Sequence, residues 1–340
     1  MTAPRSIDVS ILIVSFNTRE FTLAAISSIV RETHDLAYEI IVVDNASTDG
    51  SADAIAAHPA RPKLIRLNDN IGFGRGNNLA AEHATGRYVL LLNPDTVVTD
   101  RAIDRLVAFA RANPRALIWG GRTLFADGSL NPASCWQRIT PWNLAMRVTG
   151  LAALFLRSAL FNPEAFGGWP RDTVREVDIV SGCFLMIPRA VWQALGGFDP
   201  TFFMYGEEAD LCLRARRIGA RPTVTPEATI IHHGGASEKT RAGKMTKLLA
   251  AKSTLIARHW PRGTVVFGQI LLMMWPLTRW LVWEALARIK HGARAREAAS
   301  TWRAVWAARD DWRSGYSEPS LTEAEHFRPV IDAVHMGGAT

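Results

Sequence analysis

The chain is poor in cysteine. Cys135, Cys183 and Cys212 are the only three in 340 residues, they lie far apart, and they form no CxxC or other zinc spacing. A disulfide framework is therefore not expected, which fits a reducing compartment. Residues 1–9 carry Arg5 and Asp8 and lead straight into an apolar strand pattern, without the apolar core and small-residue cleavage site of a secretory leader. No internal repeat or low-complexity tract occurs. The charge-free stretch 263–278 has sixteen residues, contains Pro276 and meets Arg279 at once, short of the roughly 20 apolar residues that cross a bilayer. Glycine is missing where a dinucleotide-binding fingerprint needs it: the first strand-to-helix turn reads Ser15-Phe16-Asn17. A dehydrogenase of that type is thereby excluded.

What remains is ordinary globular composition, 48% hydrophobic and 21% charged, with a formal charge of +7. Such a balance suits nucleic acid, anionic lipid or a phosphorylated substrate, and its location discriminates among them. The excess gathers after about Arg258, where Arg279, Arg288, Lys290, Arg294 and Arg296 stand among seven of the twelve tryptophans. Basic residues mixed with Trp and Leu point to a membrane interface. No basic stripe crosses the first half, so no nucleic-acid partner is expected. The C-terminal helices are expected to lie in the interface rather than cross it. A buried apolar hairpin is the lipid-free alternative, and a solvated basic helix the blander one.

Residues 9–14, 39–43, 63–67 and 87–92 are apolar, β-favouring runs, and helical spacing follows each, over 19–31, 51–57, 75–84 and 100–112. Continuous Val/Ile/Leu runs between helices predict a parallel sheet covered on both faces, a doubly wound α/β arrangement over roughly the first 120 residues. Regularity fails over 120–175, read as loop with one or two helices near 141–160. Strands are predicted at 176–180, 183–187, 221–224 and 228–231, with a helix over 207–218.

Ligands of such sheets bind outside the carboxyl ends of the strands, and here those ends are polar: Ser15-Phe16-Asn17, then Asp44-Asn45-Ala46-Ser47-Thr48-Asp49-Gly50, then the approach to Asn70-Ile71-Gly72-Phe73-Gly74-Arg75-Gly76-Asn77-Asn78, then Asn93-Pro94-Asp95. Asp44 could accept from a base or ribose, or merely cap a turn. Gly72, Gly74 and Gly76 would let backbone approach a ligand, with Asn77 and Asn78 as donors, or would simply begin a helix. Pro94 keeps Asn93 out of the helical region and projects Asp95 past the sheet, where a hard divalent cation could bind it together with diphosphate oxygens.

Downstream, Glu207, Glu208 and Asp210 are three candidates for a general base. Glu208 shares a helix face with Leu211, Cys212 and Ala215 and should point inward, whereas Asp210 stands four residues before Arg214, as in a structural pair. His232-His233-Gly234-Gly235 follows a short strand. An imidazole there could complete a metal shell with Asp95, or be a polar loop residue.

Taken in order, these motifs over residues 9–235 resemble glycosyltransferase family 2, and within it the rhamnosyltransferase-like branch of bacterial cell-envelope polysaccharide synthesis. The resemblance implies a GT-A fold, in which Ser15, Asn17, Asp44, Asn45, Asn70, Gly72, Asn77 and Asn93 bind the nucleotide sugar, with the Asp44 position on base or ribose. Asp95 matches the second acid of the family's Asp-x-Asp and Asn93 replaces the first. The first histidine of the later motif, His232, would join Asp95 on Mg2+ or Mn2+. Glu208 matches the family's base, one methylene longer than its usual Asp, with Asp210 behind it. The expected activity is inverting transfer from a dTDP- or UDP-sugar, dTDP-L-rhamnose being one candidate, to a saccharide or lipid-linked acceptor, by a peripheral protein on the cytoplasmic side of the inner membrane. An inactive GT-A-like nucleotide-sugar-binding or scaffold protein is the competing expectation. A nucleotidyltransferase is disfavoured because the first loop lacks the Gly-rich, basic character a triphosphate wants. The expected organisation is a catalytic domain over 1–238, split near 120 into donor and acceptor halves, and a membrane-associating helical region over 239–340.

Overall fold

The computed structural model describes residues 6–234, 240–290 and 292–317. The first apolar run becomes β1 (Val9–Ser15), buried at every position. In chain order follow α1 (Arg19–Glu32), β2 (Tyr38–Asp44), α2 (Ser51–Ala56), β3 (Lys63–Arg66), α3 (Phe73–Glu82) and β4 (Tyr88–Leu92). β3, β2, β1 and β4 lie side by side and parallel. Their alternate residues feed two separate cores. Leu12, Val14, Ile41 and Val43 pack with Ala80 and Ala81 of α3, and Ile11, Ile13, Ile40 and Val42 with Ile26 and Ile29 of α1. That two-sided cover is why these strands read as unbroken hydrophobic runs.

The chain continues through β5 (Thr96–Val98), α4 (Ala102–Ala112), β6 (Trp119–Leu124), β7 (Cys135–Trp136), α5 (Pro141–Thr149) and α6 (Leu151–Leu154). Then come β8 (Arg175–Glu176), β9 (Ile179–Val180), β10 (Phe184–Pro188), α7 (Arg189–Ala194), α8 (Glu207–Arg217) and β11 (Thr223–His232). The sheet is mixed, since β10 enters antiparallel between β4 and β6. β11 runs parallel to β6 and antiparallel to β5. The second half thus extends the parallel sheet.

Three expectations need correction. Residues 119–124 form a central strand although Gly120 and Gly121 suggested irregularity. A Cβ on Gly120 would stand 2.4 Å from Val180 Cγ1, and one on Gly121 2.1 Å from the Ala228 carbonyl, so the glycines permit close approach within the sheet. The two strands expected at 221–231 are one, β11, with a register shift between Thr225 and Thr229. Residues 176–180 are split between β8 and β9.

The C-terminal part consists of α9 (Arg241–His259), α10 (Val265–Lys290), α11 (Ala293–Ala307) and α12 (Arg309–Trp312). α10 continues through Pro276. A mid-helix proline costs about 3 kcal/mol, and burial of Leu272 and Trp275 in the turn before it, with Leu249, Ile256 and Val305, opposes that loss. α9 is bound to the α/β body by buried charge. Lys252 and Arg147 both pair with the buried Glu164, whose carboxyl falls to about 2 because the charges of Arg147 and Lys252 outweigh its burial. The boundary expected at 238 falls in residues 235–239, outside the described residues.

Candidate active site

The carboxyl ends of β1 and β2 are adjacent, so the turns after them support each other. The Asn17 side-chain carbonyl accepts from the Thr48 N–H (2.8 Å) and hydroxyl (3.3 Å), while the Asn17 N–H donates to Ser47 (3.0 Å). The Ser15 hydroxyl is fully buried among those of Thr18 and Thr22. Asp44 uses Oδ2 to accept the Ser47 N–H at 3.1 Å, whereas its Oδ1 is buried without a partner. A buried acceptor left open at a strand end is costly and is the atom a ligand donor would satisfy.

Asn45 is spent on scaffolding. Its amide donates to Asn70 Oδ1 at 2.9 Å and its carbonyl accepts the Ile71 N–H at 2.9 Å, so it clamps the loop before α3. Asn70 Oδ1 also accepts the Gly72 N–H at 2.9 Å. The glycines of that loop pack closely against the chain itself. A Cβ on Gly72 (φ +85°) would lie 2.3 Å from the Phe203 carbonyl, and one on Gly76 2.9 Å from Val14 Cγ1. They let α3 settle onto β1 and onto the 203 loop. Asn77 is buried and donates to Phe73 O, while Asn78 exchanges two hydrogen bonds with the Phe198 backbone. Ser15, Asn45 and Asn77 therefore hold the site's walls, whereas Asp44 and Asn93 keep open acceptor atoms.

Topology joins Asp95 to His232. β5 pairs with β11 in a register that sets Thr96 opposite His232. His232 Nε2 lies 3.3 Å from Asp95 Oδ1 and 3.4 Å from the Asn93 amide, and the His233 N–H donates to the Asp95 carbonyl at 3.0 Å. Burial disfavours the imidazolium, but the contacts with Cys183 and Asp95 override it and raise His232 to about 10, so a cation would bind here by displacing the ring's second proton. Burial likewise opposes the Asp95 carboxylate, yet the His232 contact holds it below its ordinary value. His232 Nδ1 and Asn93 Oδ1 are buried and unpartnered. A carboxylate, an imidazole and an open amide oxygen fit a divalent cation that takes its other ligands from a substrate. Among the described residues no cluster of three His, Cys, Asp or Glu side chains offers a closed metal site. Asn131 was not foreseen: it donates to the His232 carbonyl at 3.1 Å and fixes that strand end.

Glu207 and Glu208 open α8 after Tyr205 (φ +70°) and Gly206 (φ +90°). Gly74 and Gly182 leave space for the Cβ atoms of Glu207 and Glu208 respectively, and Phe73 stands over Gly182. Glu207 Oε2 and Glu208 Oε2 are both buried without partners. Burial, then the Glu208 charge beside it, pushes the Glu207 carboxyl well above the ordinary range, and burial raises Glu208 against opposing backbone hydrogen bonds. Asp210 differs. It lies about 200° round the helix from Glu208 and is engaged by Arg214 at 2.6 Å and His259 Nε2 at 2.8 Å. Burial would raise it, but those partners hold it low. The structure gives Asp210 the anchoring place that its spacing from Arg214 suggested. It also reveals His259 and Arg258 as α9 anchors, Arg258 pairing with Asp199. No local sequence signal marks either contact.

The glycosyl transferase family 2 model matches residues 10–189. The chain belongs to that family. The match ends before Glu207, Glu208 and His232. A 222-residue stretch is 27% identical to the N-acetylglucosaminyl-diphospho-decaprenol L-rhamnosyltransferase of Mycobacterium tuberculosis, covering 57% of this chain and 66% of that one. An O-antigen biosynthesis protein of Myxococcus xanthus is 29% identical over 239 residues, 68% of this chain but 18% of that protein. The chain thus spans less than two thirds of these relatives. It matches the rhamnosyltransferase WbbL of Escherichia coli at 26% identity over 76% of this chain and 99% of that one. The fold matches solved GT-A structures, among them a mannosyltransferase of Pyrobaculum calidifontis in complex with GDP-Man and Mn2+, with a TM-score of 0.55, 16% identity and coverage of 92% and 91%.

Proposed function

We propose that this family 2 chain transfers a sugar from a nucleotide sugar to a saccharide or lipid-linked acceptor in cell-envelope polysaccharide synthesis, with inversion at the anomeric carbon. The observation that carries the reading is the convergence of Asp95 and His232, far apart in the chain yet with Oδ1 and Nε2 3.3 Å from each other, among strand ends where Asp44 also keeps an open acceptor. The nucleoside end of a dTDP- or UDP-sugar would lie against Asp44, and dTDP-L-rhamnose is the donor we favour from the rhamnosyltransferase relatives. Asp95 and His232 would hold Mg2+ or Mn2+, which when bound neutralises charge on the departing nucleoside diphosphate. The Pyrobaculum protein's complex with GDP-Man and Mn2+ supports that cofactor class.

Glu208 would take the proton of the acceptor hydroxyl as its oxygen bonds to the anomeric carbon and the bond to the diphosphate breaks. A raised carboxyl serves a base better than an ordinary one, because its carboxylate accepts a proton more readily. Asn45, Asn70 and Gly72 keep the donor loop against the 203 loop, and so keep donor and base in register. The protein would act from the cytoplasmic side of the inner membrane, held peripherally by its C-terminal helices.

Calorimetric titration with dTDP- and UDP-sugars, with Mn2+ and with EDTA, tests the reading. Asp95→Ala should abolish the metal-dependent part of binding. Equal affinity with and without EDTA in the wild type would defeat the assignment.

A further inference from the structure

The large apolar side chains left in water are concentrated. Leu154, Leu156 and Leu160 are 75%, 65% and 58% exposed at the end of α6 and in the segment after it. A second group follows α10, where Val266, Ile270, Met274 and Leu281 fall in an arc of roughly 80° at 100° per residue. The two groups are neighbours. Arg279 of α10 donates to the carbonyls of Arg147 (3.1 Å) and Val148 (2.8 Å) at the end of α5, and its guanidinium would be 2.7 Å from a Cβ on Gly150. The exposed segment begins just beyond Gly150, so it leaves α5 where α10 is docked.

The helix region Arg262–Ile289 is long and apolar enough to cross a membrane, and only 22% of its most apolar window is buried. Its contacts argue against crossing. Gln269 bonds to Ser253 of α9, Thr278 to Val148 of α5, and Glu284 pairs with Arg303 of α11. A crossing helix would carry these polar partners, and Lys252 with them, into hydrocarbon. The outer face is more apolar, its one acid, Glu284, being paired with Arg303 and Arg288. Arg157, Arg262 and Arg288 are exposed around it, so the apolar surface is rimmed by cations, as suits anionic headgroups.

We propose that residues 154–160 and the outer face of α10 form one continuous surface that rests on an anionic bilayer, with α10 lying in the membrane plane. This deepens the membrane part of the function proposed above and is independent of the sugar chemistry. The 154–160 segment is then a second contact element, 106 or more residues before α10's exposed stripe in the chain yet beside it in space.

The full chain should co-float with phosphatidylcholine vesicles containing phosphatidylglycerol, more weakly with phosphatidylcholine alone, and be released by alkaline carbonate. L154D/L156D and V266D/I270D should each weaken binding about tenfold or more, since apolar area leaves the interface. I218D, at a 58% exposed residue on α8's far end, should bind as wild type. An NBD group on L156C should shift to the blue with vesicles, a readout that does not depend on the aspartate variants folding. Wild-type binding by L154D/L156D together with an unshifted NBD signal overturns the proposal and leaves peripheral attachment by α10 standing. Retention after carbonate overturns the in-plane orientation. Failure of the wild type to bind vesicles, with a self-association that V266D/I270D abolishes, replaces the bilayer by a second copy. Nucleotide-sugar binding measured on the same samples reports on the transferase reading separately.

Discussion

Replacing Gly72 by alanine tests whether the glycines before α3 serve the chain or a ligand. Gly72 holds φ +85° and ψ 172°, a region nearly closed to residues with a Cβ, and forcing a residue there costs about 1–3 kcal/mol. The new methyl would also stand 2.3 Å from the Phe203 carbonyl and 2.9 Å from the Phe203 ring. The carbonyl already accepts the Phe73 N–H at 3.1 Å, so neither loop can retreat without loosening that bond. Overpacking of this kind costs another 1–3 kcal/mol or so, giving about 2–6 kcal/mol in all. Gly128 isolates the backbone contribution: its φ is +80°, but nothing lies within 4 Å of a Cβ placed there. Gly128→Ala should lose only about 1–2 kcal/mol. Urea unfolding of the two variants, compared by midpoint at equal slope, gives the difference. Gly72→Ala should also slow sugar transfer, because the loop it displaces leads into Glu207 and Glu208. A loss no larger than that of Gly128→Ala would refute the claim that Gly72 exists for this contact.

Transfer should fall on acidification with a midpoint above the 4.5 of an ordinary glutamate, because a Glu208 carboxyl raised by burial must be ionised to act as base; Glu208→Gln should keep donor binding and lose turnover, and near-normal turnover would remove Glu208 from the mechanism. Asp210→Asn should mainly lower stability, since it weakens the Arg214 and His259 contacts; a loss of turnover with unchanged stability and an altered pH profile would promote it to base. Glu164, held at about 2 against 4.5 when unfolded, contributes stability that is fully present above pH 4.5 and is lost as pH falls through 2, about 3 kcal/mol before discount. Burial of Lys252 lowers its own ammonium and returns part of that gain at neutral pH. Of the three groups only Glu164 titrates in the acid window, so Glu164→Gln should reduce the wild type's stability loss between those limits, and an unchanged slope in urea titrations would count against the triad.

The parts of this molecule that sequence shows are those governed by local period and by position on the sheet. The parallel strands β1 to β4 are legible because both faces are covered and nearly every residue is apolar. Asp44 and Asp95 stand out because a polar residue ends each run. Asp95 and His232 were paired by resemblance to a family, but the reason they meet is β5, three residues long, whose antiparallel register with β11 has no signature of its own. Gly120 and Gly121 misled because a glycine inside a strand looks like a break until the neighbouring Val180 and Ala228 are in place. The scaffolding bonds of Asn45 and Asn77 were hidden for a related reason. An amide beside a loop glycine looks ready for a ligand, and only packing shows that the chain's own backbone has already taken it.

The anchors on α9 tie α8 to the rest of the C-terminal part. Arg258 and His259, adjacent at the end of α9, hold Asp199 and Asp210, one in the loop that leads into α8 and the other on α8 itself. Upstream on the same helix, Lys252 grips Glu164, and Ser253 bonds Gln269 of α10. A force on α10 therefore reaches the start of α8 through one rigid helix and a few short, mostly buried polar contacts, without passing through the sheet. If the bilayer sets the tilt of α10, it also sets the direction in which Glu208 faces an acceptor arriving from that surface. Binding of donor, which depends on the other side of the sheet edge, should be indifferent to lipid, whereas transfer to a lipid-linked acceptor should depend on it. That separation follows from where the contacts lie, since Asp44 and Asn93 make none with α9 or α10 among the described residues.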